Sequence, residues 1–123
     1  MREPVRRWLE ALRDPEQLAD AATTDIRVHR FAPAPRGTAA ETAVQVMEGR
    51  AAVATWLRLT PKSIAFDIVG EPVGDETSFV VEYAYRVDGW SNGGTWTMRL
   101  AYDRITREAL IARVEHRPFA LTE

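Results

Sequence analysis

Few side chains in this 123-residue chain could carry proton chemistry, since it has two histidines and no cysteine. His116 is the first candidate, because it ends an otherwise apolar strand face and histidine exchanges protons near neutral pH. His29 is the second candidate, and it would pair with His116 or a tyrosine if it faced the same side. The alternative for each is structural: His116 bonded to a neighbouring carbonyl or tyrosine, and His29 a partly exposed strand residue.

Tyrosines supply further polar groups on the same predicted strand faces. Tyr83 and Tyr85, and with them Tyr102, could donate hydrogen bonds to a ligand carbonyl or enolate. Large apolar side chains surround them in the pattern, and we expect these to line a ligand pocket: Trp8, Trp56, Phe66, Phe79, Trp96, Met98 and Tyr102. An apolar wall with a few polar groups is typical of ligand pockets. The same residues describe a filled core equally well, and the sequence leaves both interpretations open.

Composition and charge exclude several function classes. The absence of cysteine excludes disulfides, thiolate nucleophiles and thiolate metal sites. Two histidines without an inward carboxylate make a poor metal site, so we expect neither a metal nor another cofactor. The formal net charge of −2 argues against a nucleic-acid partner. No apolar run approaches the roughly 18 residues of a membrane span, and no apolar signal core follows the N-terminus, so the cytoplasm is the expected compartment.

The elements that must position these groups can be read from apolar periodicity. A first helix is predicted from the helical spacing of Val5, Trp8, Leu9 and Leu12. Asp14-Pro15 ends that helix and begins a second one. A third helix is predicted over about Arg50 to Leu59. Alternation predicts strands over Ile26–Phe31, Lys62–Glu71, Thr77–Val87, Thr95–Asp103 and Ala109–Arg117. Residues 43–48 predict a further strand, with a helix over 39–46 as the alternative. Helices first and an antiparallel meander last indicate an α+β domain.

The second face of the late strands mixes charged and apolar side chains. Glu82, Arg99, Arg113 and Glu115 alternate in sign across neighbouring strands. Between them the pattern places Val80, Ala84, Ala101 and Ile111. The simpler interpretation is that these charges pair across strands on a solvent-exposed surface. We favour the other, in which this face is the interface of a homodimer.

One hairpin loop is rich in glycine and carries a tryptophan. The segment Asp88–Gly94 contains Trp90, which could gate a pocket mouth or enter a dimer contact. The alternative is that Trp90 folds back over its own hairpin.

Three stretches carry a resemblance to a known family. The first is Thr24-Asp25-Ile26-Arg27-Val28-His29, which resembles the family's pattern of an acidic residue followed by the first strand. The second is residues 47–57, where Gly49-Arg50 resembles the start of the family's third helix. Residues 100–116 resemble a closing hairpin that ends at a polar pocket residue. The chain thus resembles the SnoaL-like and ketosteroid-isomerase-like branch of the nuclear transport factor 2-like superfamily. The resemblance implies one domain over residues 1–123, a cone of curved antiparallel sheet wrapped on three helices, a small apolar ligand, and frequent dimerisation through the sheet.

The chain departs from the mechanisms of this branch. Ketosteroid isomerases, which resemble this layout, carry a carboxylate base just after the first strand, and Arg30 or Phe31 aligns with that position. Their partner acid on a late strand aligns near Met98. Because one inward polar group ends an aromatic-lined face, we nevertheless expect a small-molecule-binding domain that acts as an isomerase or polyketide cyclase on an apolar carbonyl compound. His116 would move the proton and Tyr83 or Tyr85 would steady the oxyanion. The alternative is a non-catalytic apolar-ligand-binding or dimeric accessory protein.

Overall fold

The computed structural model describes residues 1–38, 40–60, 64–87 and 90–120, with the backbone alone for Val87 and Trp90. The helices are α1 (Glu3–Arg13), α2 (Leu18–Ala21) and α3 (Arg50–Arg58), with a short 3₁₀ turn over Pro15–Gln17. The strands are β1 (Ala22–Phe31), β2 (Ala43–Glu48), β3 (Ala65–Gly74), β4 (Ser78–Val87), β5 (Trp90–Asp103) and β6 (Glu108–Pro118). Within the described residues no helix is both long and apolar enough to cross a membrane.

The six strands form one sheet in the order β2-β1-β6-β5-β4-β3. Every neighbouring pair is antiparallel except β1 and β6, which run parallel. Residues 43–48 pair with β1 as a strand, so the helical alternative for this segment is wrong. The predicted α+β cone, a curved and mostly antiparallel sheet wrapped on helices, is confirmed.

The helices cover one face of the sheet because each has an apolar stripe. In α1, Val5, Trp8 and Leu12 are buried at helical spacing. The second predicted helix is shorter than expected: Asp14 accepts a hydrogen bond from the Glu16 amide at 3.2 Å, a 3₁₀ turn follows, and the backbone is already extended at Ala22. The chain therefore enters β1 four residues earlier than the alternation at Ile26 indicates.

Two predicted strand ends differ from the structure. The strand predicted over Lys62–Glu71 continues to Gly74, and Val73 pairs with Val80 of β4. Residues 90–94, expected within a hairpin loop, belong to β5, which pairs with β4 through Gly93 and Gly94. The predictions for the Trp90 side chain lie outside the described residues.

A register shift in β6 overturns one assignment of faces. Arg99 pairs with Arg113 but Leu100 pairs with Ile111, so Ala112 is an extra residue, a β-bulge. The bulge reverses the inward and outward alternation, and Ile111 joins the core with no exposed surface. The prediction that Ile111 lies on the outer face is therefore wrong. Beyond the bulge, Val114 and His116 face inward as predicted.

Candidate functional site

The inner face of the sheet brings Tyr83 of β4 and His116 of β6 together. The Tyr83 hydroxyl oxygen lies 2.5 Å from Nε2 of His116. Strand alternation places both side chains under the helices, since their neighbours Val81 and Val114 are also buried in the core. Two residues named separately from the sequence thus form one hydrogen-bonded pair.

Gly94 of β5 makes this pairing sterically possible. It is the register partner of both Tyr83 and Pro118, so it lies between β4 and β6 at this level of the sheet. A Cβ atom on Gly94 would lie 2.6 Å from the Tyr83 hydroxyl and 2.5 Å from the Arg117 carbonyl oxygen. Glycine is needed here because the Tyr83 side chain passes over the β5 backbone to reach His116.

Both members of the pair are electrically neutral at physiological pH. Burial lowers the pKa of His116 to about 4, with a smaller contribution from the positive charge of Arg30. Burial, and secondarily Tyr85, raises the pKa of the Tyr83 hydroxyl. Because a phenol is a better donor than a neutral imidazole and imidazole nitrogen a better acceptor, we assign the bond as Tyr83 O–H donating to Nε2.

This assignment leaves the other ring nitrogen of His116 without a partner. With Nε2 accepting, the neutral ring carries its proton on Nδ1, which is buried and has no hydrogen-bond partner among the described residues. An unsatisfied buried donor costs about 1–3 kcal/mol, so such groups point to a missing acceptor. The tyrosine bond alone fits the structural alternative for His116, whereas the orphaned Nδ1 goes beyond it.

Aromatic rings surround the pair, and some of them reach the surface. Tyr83 stacks on Trp96 with ring centroids 4.2 Å apart, and Trp56 lies 5.8 Å from the His116 ring. Three of the surrounding aromatic side chains are partly exposed, and we call them the aromatic mouth: Trp56, Phe66 and Tyr85. A ligand approaching His116 would meet the aromatic mouth first.

The remaining predicted pocket residues divide into core and surface. Trp8, Phe79, Trp96 and Met98 are at most 2% exposed and pack in the core. Tyr102 is 65% exposed, so its assignment to the pocket is wrong; the alternation is unbroken, but Tyr102 lies one residue before the end of β5. The best-formed clefts on the described surface are lined by residues outside this set.

His29 lies on the outer face of the sheet, away from His116. Its neighbours Ile26 and Val28 are fully buried on the inner face, and the register partner of His29 is Glu115 rather than His116. Burial, and then the charge of Arg113, lowers the pKa of His29. His29 is therefore a partly exposed strand residue, which is the structural alternative considered for it.

Arg30 is a site residue that the sequence interpretation missed. It is the register partner of His116 in the parallel β1–β6 pair, so the two side chains share a face. Its guanidinium donates to the Gln45 amide oxygen at 3.0 Å, and no carboxylate pairs with it among the described residues. Arg30 or Phe31 aligns with the base position of the isomerases that the chain resembles, and this alignment is the one signal in the sequence that points to Arg30.

No metal centre forms in the described part of the chain. No group of three or more histidine, aspartate or glutamate side chains comes together there in a way that could hold an ion. The polar groups of the site are thus an imidazole, a phenol and a guanidinium.

Comparisons with solved structures identify the fold. The chain superposes with a TM-score of 0.70 on a proposed ketosteroid isomerase from Kribbella flavida, at 16% identity over 99% of this chain and 79% of that one. A proposed isomerase of the SnoaL-like family from Agrobacterium tumefaciens gives a TM-score of 0.69 at 16% identity, with 95% of both chains covered. A proposed polyketide cyclase from Sinorhizobium meliloti gives 0.65, again at 16% identity and 95% of both chains.

These likenesses establish a nuclear transport factor 2-like fold and nothing finer. No family model matches the chain, and no curated protein sequence does. Since one fold hosts unrelated activities, the function must be argued from the side chains at the site.

Proposed function

We propose that this domain binds a small, mostly apolar molecule through one carbonyl or similar oxygen at His116. The observation that carries the proposal is the buried Nδ1 of His116, which has no acceptor among the described residues. A ligand oxygen there would satisfy it, while the rings of Trp56 and Phe66 contact the apolar part. One fixed polar group within an apolar surround is the usual composition of a ligand site.

Each neighbour of His116 has a distinct part in this proposal. Tyr83 donates to Nε2 and so holds the tautomer that directs the Nδ1 proton toward the ligand. The positive charge of Arg30 favours an oxygen that carries negative charge, since its own bond is to a neutral amide. In this proposal the ligand occupies the space in front of His116, against the partly exposed rings of the aromatic mouth.

A second function, proton transfer of the isomerase or cyclase type, has one observation in its favour. The hydrogen-bonded Tyr83–His116 pair could stabilise an enolate oxygen through Nδ1. Against it, a histidine with a pKa of about 4 is a weak base, and no carboxylate joins the pair among the described residues. Binding without chemistry therefore ranks first.

Two matched probes test the binding proposal. 2-Acetylnaphthalene carries a carbonyl, and 2-isopropylnaphthalene has nearly the same shape without one. Titration by tryptophan fluorescence should show tighter binding of the ketone by about tenfold, the value of one hydrogen bond to a buried donor. His116→Phe should abolish this preference, and His29→Phe, on the outer face, should keep it. Equal affinity of both probes for the unmodified protein would overturn the proposal.

The same ketone separates binding from catalysis. In deuterated buffer, an enolising enzyme exchanges the methyl protons of 2-acetylnaphthalene, and proton NMR follows the loss of that signal. We expect the exchange rate to equal that of buffer alone. Exchange that depends on both His116 and Tyr83 would establish the second function instead.

We also propose that the protein is a homodimer through the outer face of the sheet. Three of the four predicted contact charges form ion pairs within the chain: Glu82 with Arg36 at 2.7 Å, and Glu115 with Arg113 at 3.2 Å. Exposed apolar side chains support the dimer. Val80 and its register partner Val73 are 36% and 73% exposed on this face, respectively. A self-complementary apolar patch of this kind suits an isologous contact.

A further inference from the structure

Three arginines stand side by side on the outer face of the sheet. Arg27 of β1 is the register partner of Arg113 of β6, which in turn is the register partner of Arg99 of β5. Neighbouring strands are about 4.8 Å apart, so the three side chains leave the sheet within about 10 Å. Like charges directly opposite one another are destabilising, so the arginine row (Arg27, Arg113 and Arg99) imposes a cost on the sheet.

The arginine row lines a cleft that an irregularity in the sheet creates. Between Ala22 and Arg27, β1 advances five residues while β6 advances two, from Ile111 to Arg113. The excess chain in β1 leaves a cleft of about 640 Å³ beside the row. Its lining is Thr24, Asp25, Arg27, Glu48, Gly49, Arg99, Ala112 and Arg113. This volume is in the range of small-molecule sites.

The carboxylates of the chain satisfy the row only in part. Arg27 pairs with Glu48 at 3.4 Å and Arg113 with Glu115 at 3.2 Å, both through a single guanidinium nitrogen. Arg99 has no ion pair among the described residues, and Nε of Arg113 is buried without an acceptor. Asp25 is the second acid on the lining, which thus carries three arginines and two carboxylates.

We propose that the arginine row binds the phosphate group, or a chemically similar oxyanion, of a small molecule. A tetrahedral oxyanion offers several acceptors to the planar guanidinium fork, which suits bidentate recognition. It supplies the acceptor that Nε of Arg113 lacks and removes the repulsion along the row. The site is on the opposite face of the sheet from His116. It shares this outer face with the proposed dimer contact, but its cleft lies on the β1 and β6 side, whereas Val73 and Val80 lie on β3 and β4.

Inorganic phosphate, added against chloride at matched ionic strength, is the probe. In amide NMR spectra we expect saturable shifts concentrated at residues 24–27, 48–49, 99 and 112–113. Arg99→Gln should weaken phosphate binding at least tenfold. Arg86→Gln is the matched control, because it removes the same charge from an exposed position of β4 and should leave the affinity unchanged. Shifts without saturation, or equal loss in both variants, would mean general screening and would overturn the proposal.

A second variant distinguishes a binding site from a merely tolerated cluster. Arg99→Glu places a carboxylate opposite Arg113, so it should raise the denaturation midpoint in chloride while abolishing the response to phosphate. A variant that gains no stability and still binds phosphate contradicts the role of the row. Light scattering on Arg99→Gln tests whether a second copy of the chain, rather than phosphate, occupies the row. A change of oligomeric state with no change in phosphate binding would make the row a contact between copies.

Discussion

Arg30 and His116 are register partners in the parallel strands β1 and β6, and the charge of Arg30 contributes to the low pKa of the imidazole. A cation beside a histidine disfavours the protonated ring. Arg30→Gln should therefore raise the pKa of His116, as measured by NMR titration of the imidazole resonances. The control is Arg27→Gln, on the same strand but the other face, which should leave that pKa in place. A His116 pKa that is equal in both variants would show that Arg30 points away from the site.

Burial of neutral His116 makes stability depend on pH. The folded pKa of about 4 is below the ordinary value of 6.5, so the unfolded chain binds the proton first as the pH falls. Stability from this group is complete above about pH 6.5 and is lost between there and about pH 4. The full shift corresponds to about 3 kcal/mol.

Denaturation of the protein and of His116→Gln across this pH window isolates the effect. The difference between their unfolding free energies should shrink as the pH falls and then level off. A difference that stays constant with pH would show that His116 protonates equally well in both states.

Gly94 should tolerate no side chain. Gly94→Ala brings a Cβ within 2.6 Å of the Tyr83 hydroxyl and also against backbone of β6, so the strands or the tyrosine must move. We expect a loss of about 1–3 kcal/mol and loss of the Tyr83–His116 bond, seen as altered His116 NMR shifts. Ser91→Thr adds one carbon at an exposed position of the same strand and should change stability little. Unaltered His116 shifts in Gly94→Ala would contradict the described path of Tyr83.

The β-bulge at Ala112 predicts which isoleucine of the closing hairpin matters. Ile111 is fully buried, and Ile105 is 94% exposed in the turn before β6. Ile111→Ala should destabilise the protein by about 2–5 kcal/mol, whereas Ile105→Ala should stay within about 0.5 kcal/mol. Chemical denaturation measures the loss of stability in both variants. Similar losses would mean that β6 has no bulge at Ala112 and that Ile111 lies on the outer face.

The proposed dimer predicts a specific monomeric variant. Val80→Glu puts a charge into the apolar patch on the outer face, so light scattering at micromolar concentrations should give half the mass of the unmodified protein. Leu59→Glu alters another exposed apolar residue, just after α3, and should leave the dimer intact. A monomeric unmodified protein would refute the dimer outright.

The sequence by itself determined the layers of this domain and part of the site. The helical spacing around Trp8 and the alternation around Tyr83 and Trp96 each mark one buried face, because helices and strands have fixed periods. From these follow the α+β cone and the inward position of His116. Local periodicity reports which face of an element is buried, and this much needs no knowledge of its neighbours.

Only the tertiary structure decided which residues meet. A bulge adds one residue and reverses the alternation without a mark in the sequence, which is why Ile111 was misplaced. The register between β1 and β6 joins segments more than eighty positions apart and sets Arg30 beside His116. Together with the register between β5 and β6, it aligns Arg27, Arg113 and Arg99. Such contacts depend on packing of the whole sheet, so no local pattern could reveal the unpartnered Nδ1 of His116 or the arginine row.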